Sequence, residues 1–303
     1  MNACLSNLLQ IDPADLHGLS ISASASLTLL GGYYFIQPVS EEMSLRAGIA
    51  VTPYLTVAGL ALLTVCNPLY AVLTSMLPLR DVQPVLHRSL SLCLTLFCAA
   101  FAMYHSSPGV LPLSFSFSVF LSVCAPFLMS TFWVRMAHLH TQLQAQRVYG
   151  VISAGAQVGQ LIASIAAAPL FAVFGESVLL VTAVLVECSV RLINRRAKLQ
   201  AEPPPTSARA VVTAVAREAP CAAASSVLPL LMSTKLLRSV TAHTLLQSFL
   251  VNSVWYEKAD AASAAFASSE QRIGFFSALN AAVGGVTLLV QVSDSNSGTL
   301  ASL

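Results

Sequence analysis

Charge is what this sequence most lacks. Only 9% of its 303 residues are Asp, Glu, Lys or Arg, against about 25% in an ordinary soluble domain. A chain so poor in charge has too little to cover a water-facing surface, and 56% of its residues are hydrophobic. The scarcity is also uneven: stretches 16–40, 47–79, 89–134, 148–175 and 273–293 carry no charged side chain at all. A helix of about 20 apolar residues crosses a hydrocarbon layer of roughly 30 Å. Each run is long enough to do so, which predicts an all-α, multi-pass membrane protein.

Other absences narrow the reading. Lys and Arg are missing from positions 1–19, which hold Asp12 and Asp15, so neither a secretory signal nor an Arg-rich transit peptide is expected there. The first apolar run then serves as the insertion signal. Paired cysteines are missing too. Cys4, Cys66, Cys93, Cys98, Cys124, Cys188 and Cys221 form no Cys-x-x-Cys unit, so they read as small buried hydrophobes rather than metal or disulfide chemistry. No Ser/His/Asp or metal-ligand set recurs at a useful spacing, so neither an enzyme nor a cofactor is expected. His138 and His140 are two residues apart and diverge on a helix, which argues against a metal there.

What is present is a succession of spans. Eight helices are predicted, at about 22–40, 50–72, 89–106, 111–134, 148–171, 177–193, 229–254 and 273–292. The uncharged run 89–134 is too long for one crossing, and "HSSPGVLP" at 105–112 breaks it with clustered Pro and Gly.

With these spans every Lys and Arg can be assigned to a side. Arg80, Arg88, Arg135, Arg147, Arg191, Arg195, Arg196, Lys198, Arg209, Arg217, Lys235 and Arg238 lie on one side; Arg46, Lys258 and Arg272 lie on the other. Twelve against three places the N-terminus in the cytoplasm by the positive-inside rule. Which membrane is involved, plasma membrane or plastid envelope, stays open.

The stretch "RLINRRAKLQAEPPPTSARAVVTAVAREAP" (191–220) is basic, then Pro-rich, and reads as a solvated linker. The implied organisation is a six-helix bundle over 1–193, a cytoplasmic linker over 194–228, and a partial second bundle of two helices with a polar tail over 229–303. Six spans, a basic linker and further spans is the outline of a major facilitator carrier, in which solute binds between two bundles.

Local patterns add candidate residues. Gly155, Gly159, Ala163 and Ala167 recur every fourth residue and line one helix face, where small side chains let backbones approach in lipid. They are candidates for helix packing or gating. Glu187 precedes Arg191 by four, as an ion pair along a helix does. Tyr34, Gln37, Gln157, Asn252 and Asn280 are polar groups inside spans, suited either to bond a neighbouring helix or to contact solute. Lys235 and Arg238, early in the seventh helix, are the basic candidates for an anionic solute.

A resemblance rests on "FWVRMAHLHTQLQAQRVYGVISAGAQVGQLIA" (132–163). It is similar to the helix-four to helix-five signature of the ATP/ADP nucleotide transporter family of plastids and intracellular bacteria. Phe132, Trp133, Met136, Ala137, Ala145, Arg147, Gly150, Ala154, Gly155 and Gly159 match that pattern. "GGYYFIQPVSEEM" (31–43) resembles the family's first helix. "LLQSFLVNSVWYEKA" (245–259) and "RIGFFSALNAAVGGVTLLVQV" (272–292) resemble its seventh and eighth.

The resemblance implies solute exchange by alternating access, with ATP or ADP as cargo and no nucleic-acid partner. The departures share a direction. Gln37 and Ser40 stand where the pattern has arginines, His138 for an aspartate, Gln146 for a lysine and Asn280 for an aspartate. Phosphate is usually met by Arg or Lys, so these losses point to a less charged solute. The family has about twelve helices, and eight are expected here. That leaves a truncated, non-transporting membrane protein as a further alternative.

Overall fold

The computed structural model describes residues 13–104, 109–140, 142–199 and 234–300. Among these the chain forms eight α-helices: α1 (Pro13–Arg46), α2 (Thr52–Met76), α3 (Leu79–Tyr104), α4 (Val110–Leu139), α5 (Gln142–Phe174), α6 (Val178–Leu199), α7 (Lys235–Ala265) and α8 (Ser269–Leu300). Six continuous helical stretches are long and apolar enough to cross a bilayer. One of them, Val148–Leu199, joins α5 and α6 through the short 3-10 turn Gly175–Ser177. The chain is thus an all-α, multi-pass membrane protein.

The helices run further than the apolar runs. α1 continues past Ser40 through Glu41, Glu42 and Arg46, and α3 begins at Leu79, ten residues before the expected start. α6 takes in Arg195, Arg196 and Lys198, the first residues assigned to the linker. α8 continues to Leu300, through most of the expected polar tail. The reason is physical: hydrocarbon thickness fixes where charge stops, whereas backbone hydrogen bonding carries a helix on into the headgroups. At ~1.5 Å per residue α1 is about 51 Å long, well beyond the hydrocarbon layer.

α7 differs most. It starts at Lys235, later than the expected 229, and it is not among the stretches apolar enough to span. The expected opening residues 229–233, like the rest of the linker from 200, lie outside the described residues.

Glycine sets two of the connections. Gly48, with φ 101°, turns the chain between α1 and the 3-10 turn Ile49–Val51, and Gly175, with φ 56°, ends α5. Other side chains avoid this left-handed region.

α1 is the axle of the molecule, packed on α4, α5, α6 and α8, while α3 packs on α4 and α6. Over half of its most apolar window is buried, 56%, against 11% for α2. Hence α2 faces outward with Tyr54, Val57, Leu60, Val65, Leu69 and Met76 exposed, as a lipid-facing helix does. The interior holds Leu29, Ile36, Met43, Phe101, Phe117, Phe132, Met136, Ile152, Leu179 and Ile193. Phe117 meets Phe97 and Phe101 edge-on at 5.2 and 5.7 Å. Lipid tails are as apolar as these side chains, so dispersion and interhelical hydrogen bonds hold the bundle. Thr182 donates to the Gly32 carbonyl at 3.2 Å, Ser189 to that of Ala25 at 2.9 Å, and Ser91 to that of Ala183 at 3.2 Å.

A charged junction as the candidate functional site

Along its length α1 packs on neighbouring helices; its C-terminal end is occupied by charge. Glu41 and Glu42 are adjacent, so they leave the helix about 100° apart. Each therefore reaches a different partner. Glu42 is fully buried and takes two hydrogen bonds from Arg272 of α8, at 2.6 and 2.8 Å. Arg46, one turn on, reaches the same carboxylate at 3.3 Å and Glu176 at 3.5 Å. Arg272 also donates to the carbonyls of Phe266 and Ala267 in the turn between α7 and α8, at 3.0 and 3.1 Å. That arginine makes four hydrogen bonds in all, and it fastens the α7–α8 turn onto α1.

Glu41 is held more loosely. Lys258 of α7 donates to its Oε1 at 2.8 Å, and Gln37 donates to the same oxygen at 3.3 Å. Oε2 is buried and has no partner, and neither has the Oε1 of Gln37. The Lys258 ammonium lies 5.1 Å from the centre of the Phe276 ring, within the ~6 Å range of cation–π attraction. The end of α1, the α5–α6 joint and the α7–α8 turn thus converge at one end of the bundle.

The expected site residues divide. Gln37 belongs to the junction. Tyr34 sits one turn earlier on α1, its ring 5.2 Å from that of Tyr33. Asn280 of α8 is buried; its main-chain carbonyl accepts a hydrogen bond from Gln160 of α5 at 3.4 Å, and its side-chain Nδ2 has no partner. Gln157, also on α5, carries a buried, unpartnered Oε1. Near the far end of the α5–α8 contact Gln291 donates to Ser153 at 3.4 Å. Lys235 and Arg238, in the first turn of α7, and Asn252, midway along it, are exposed.

The small-residue face of α5 lies against α1. A methyl group added at Gly155 would come 2.6 Å from the Ala23 carbonyl oxygen, and one at Gly159 would meet that of Leu27. Ala163 and Ala167 are buried below them. Glu187 pairs with Arg191 at 3.2 Å, as its spacing implied, and also takes two hydrogen bonds from Arg88 of α3. His138 is exposed, while His140 is buried with its ring 6.4 Å from that of Tyr149.

Sequence reasoning missed the acids of the junction. One signal could have found them. Arg46, Lys258 and Arg272 are the three cations on the sparse side of the charge count, and all three meet Glu41 or Glu42.

Comparison of the chain with protein-family models, with curated proteins and with solved structures returns no match.

Proposed function

We propose that this chain is a solute carrier in which the α7–α8 hairpin moves against the bundle of α1–α6. The observation that carries the reading is the junction itself: α1 meets the hairpin through ion pairs at its C-terminal end, beside the buried, unpartnered Oε1 of Gln37. A seam of paired charges separates into water at modest cost, whereas a close-packed apolar seam does not. The N-terminus then lies in the cytoplasm, and the junction closes the opposite side. The twelve-to-three charge bias supports this orientation.

The solute carries less charge than a nucleotide. Arg46, Lys258 and Arg272 are already committed to carboxylates, and Gln37 and Ser40 supply no cation on α1. Uptake of a solute panel into proteoliposomes, with and without an imposed gradient, tests the carrier reading. Uptake that tracks the protein supports it; leakage-level uptake of every solute sinks it.

A second reading, exchange of ATP for ADP, is favoured by the run of matching residues from Phe132 to Gly159. Counter-exchange of labelled ADP for internal ATP decides between the two. Exchange would also require a cation to leave its carboxylate, so it should be faster in Glu41→Gln.

A further inference from the structure

We propose that Glu41 is the recognition site for a small organic cation bearing a primary ammonium group, and that Lys258 is its resident stand-in. The inference rests on the carrier reading above and names its substrate class.

The adjacent carboxylates are built differently. Glu42 meets a two-pronged guanidinium and a second arginine, leaving no place for a ligand. Glu41 meets a single-point ammonium and an amide, both on one oxygen. Its second oxygen is buried at the junction without a partner, although the residue is only 5% exposed. A buried acceptor left unpaired is destabilising, and an arriving donor relieves that penalty. The Gln37 carbonyl supplies another vacant acceptor one turn away. The Phe276 ring adds the third element, an apolar face that attracts cations. Carboxylate, amide carbonyl and aromatic face together suit R–NH3+, which has three donors and one positive charge.

Lys258 already shows that such a group fits, since its Nζ lies 2.8 Å from the Glu41 carboxylate and 5.1 Å from the ring centre. A solute ammonium takes that place as Lys258 withdraws, so the charge at the site is unchanged. Withdrawal frees α7 from α1 while Arg272 still holds the turn of the hairpin. Binding of this solute and loosening of α7 are then one event.

The experiment uses the full chain in lipid nanodiscs, with n-butylammonium as probe and n-butanol as its neutral control. Titration calorimetry and thermal unfolding should show saturable butylammonium binding to the wild type and none to Glu41→Gln. Lys258→Met keeps the side-chain stem and removes the competing charge, so affinity for butylammonium should rise at least about tenfold. Should that variant unfold, butylammonium should restore its transition while butanol leaves it lost. The double variant E41Q/K258M, with neither charge of that pair, serves as the folded non-binder. Binding retained by Glu41→Gln, equal affinity in wild type and Lys258→Met, or rescue by butanol as good as by the amine overturns the proposal. Amine binding without uptake in proteoliposomes would remove the carrier reading and keep the site. Uptake of a neutral or anionic solute with no amine binding would do the reverse.

Discussion

α1 makes two kinds of contact, and they follow opposite rules. Against α5 it is close-packed backbone on backbone, through Gly155 and Gly159 on one side and Ala23 and Leu27 on the other. Against α7 and α8 it is ionic, through Glu41, Glu42, Lys258 and Arg272. Close packing is short-ranged: a gap of under 1 Å already forfeits a quarter to a half of the attraction. It holds one geometry or none. Paired charges act over longer distances and accept water or another ion as a substitute partner. Within one helix the sequence thus provides a fixed contact and an exchangeable one. Glu42 sits between the extremes, because the two-pronged guanidinium geometry restores directionality to a charged contact.

Breaking the ionic contact should have the largest effect. Arg272→Ala leaves the buried Glu42 with Arg46 alone, at 3.3 Å, and loss of one partner of a buried pair costs about 3–5 kcal/mol. The thermal transition in nanodiscs should fall by many degrees, and the double variant E42Q/R272M should recover much of the loss because neither charge remains. A single variant as stable as the double would refute the difference drawn between Glu42 and a surface pair.

The packed contact comes next. Gly159→Ala places a methyl group on the Leu27 backbone, which has no flexible end to yield, at an expected cost of about 1–3 kcal/mol. Gly150, nine residues earlier on the same helix, has nothing within 4 Å of an added methyl. Gly150→Ala should therefore stabilise α5 by about 0.5–1 kcal/mol through backbone entropy. Opposite signs from the same substitution would sharpen the comparison; equal signs would erase it.

The polar seam between α5 and α8 should matter less. Gln160→Leu removes its hydrogen bond to the Asn280 carbonyl, and such bonds average about 0.6 kcal/mol in membrane proteins. Smallest of all is Arg191→Ala. That arginine is largely exposed and Glu187 keeps Arg88, so unfolding should shift by less than about 0.5 kcal/mol.

The all-α class and the break between α3 and α4 were legible in the sequence because both follow from local composition. The close approach of α5 to a neighbour at Gly155 and Gly159 was legible as well, since a four-residue period of small side chains lets backbones meet in lipid. The Glu187–Arg191 pair could be read because its partners lie on one helix; Arg88, 99 positions away, could not. The same barrier hid the junction. Glu41 and Lys258 are 217 residues apart, and each taken alone looks like the solvated end of a span. The resemblance drew attention to the arginines missing at positions 37 and 40, and so away from the acids beside them. Lys235, Arg238 and Asn252 were chosen by residue type on α7, and what places that helix against α1 is its last third, where Lys258 sits.

The distance in sequence between the acids and their cations is also a distance in time. A ribosome adding 5–20 residues per second reaches Lys258 on the order of 10–40 s after Glu41 has been made. Throughout that interval Glu42 has Arg46, four residues on and already synthesised. Glu41 has only the amide of Gln37 on its own helix. The order of synthesis therefore gives one acid an early partner and leaves the other waiting for the hairpin.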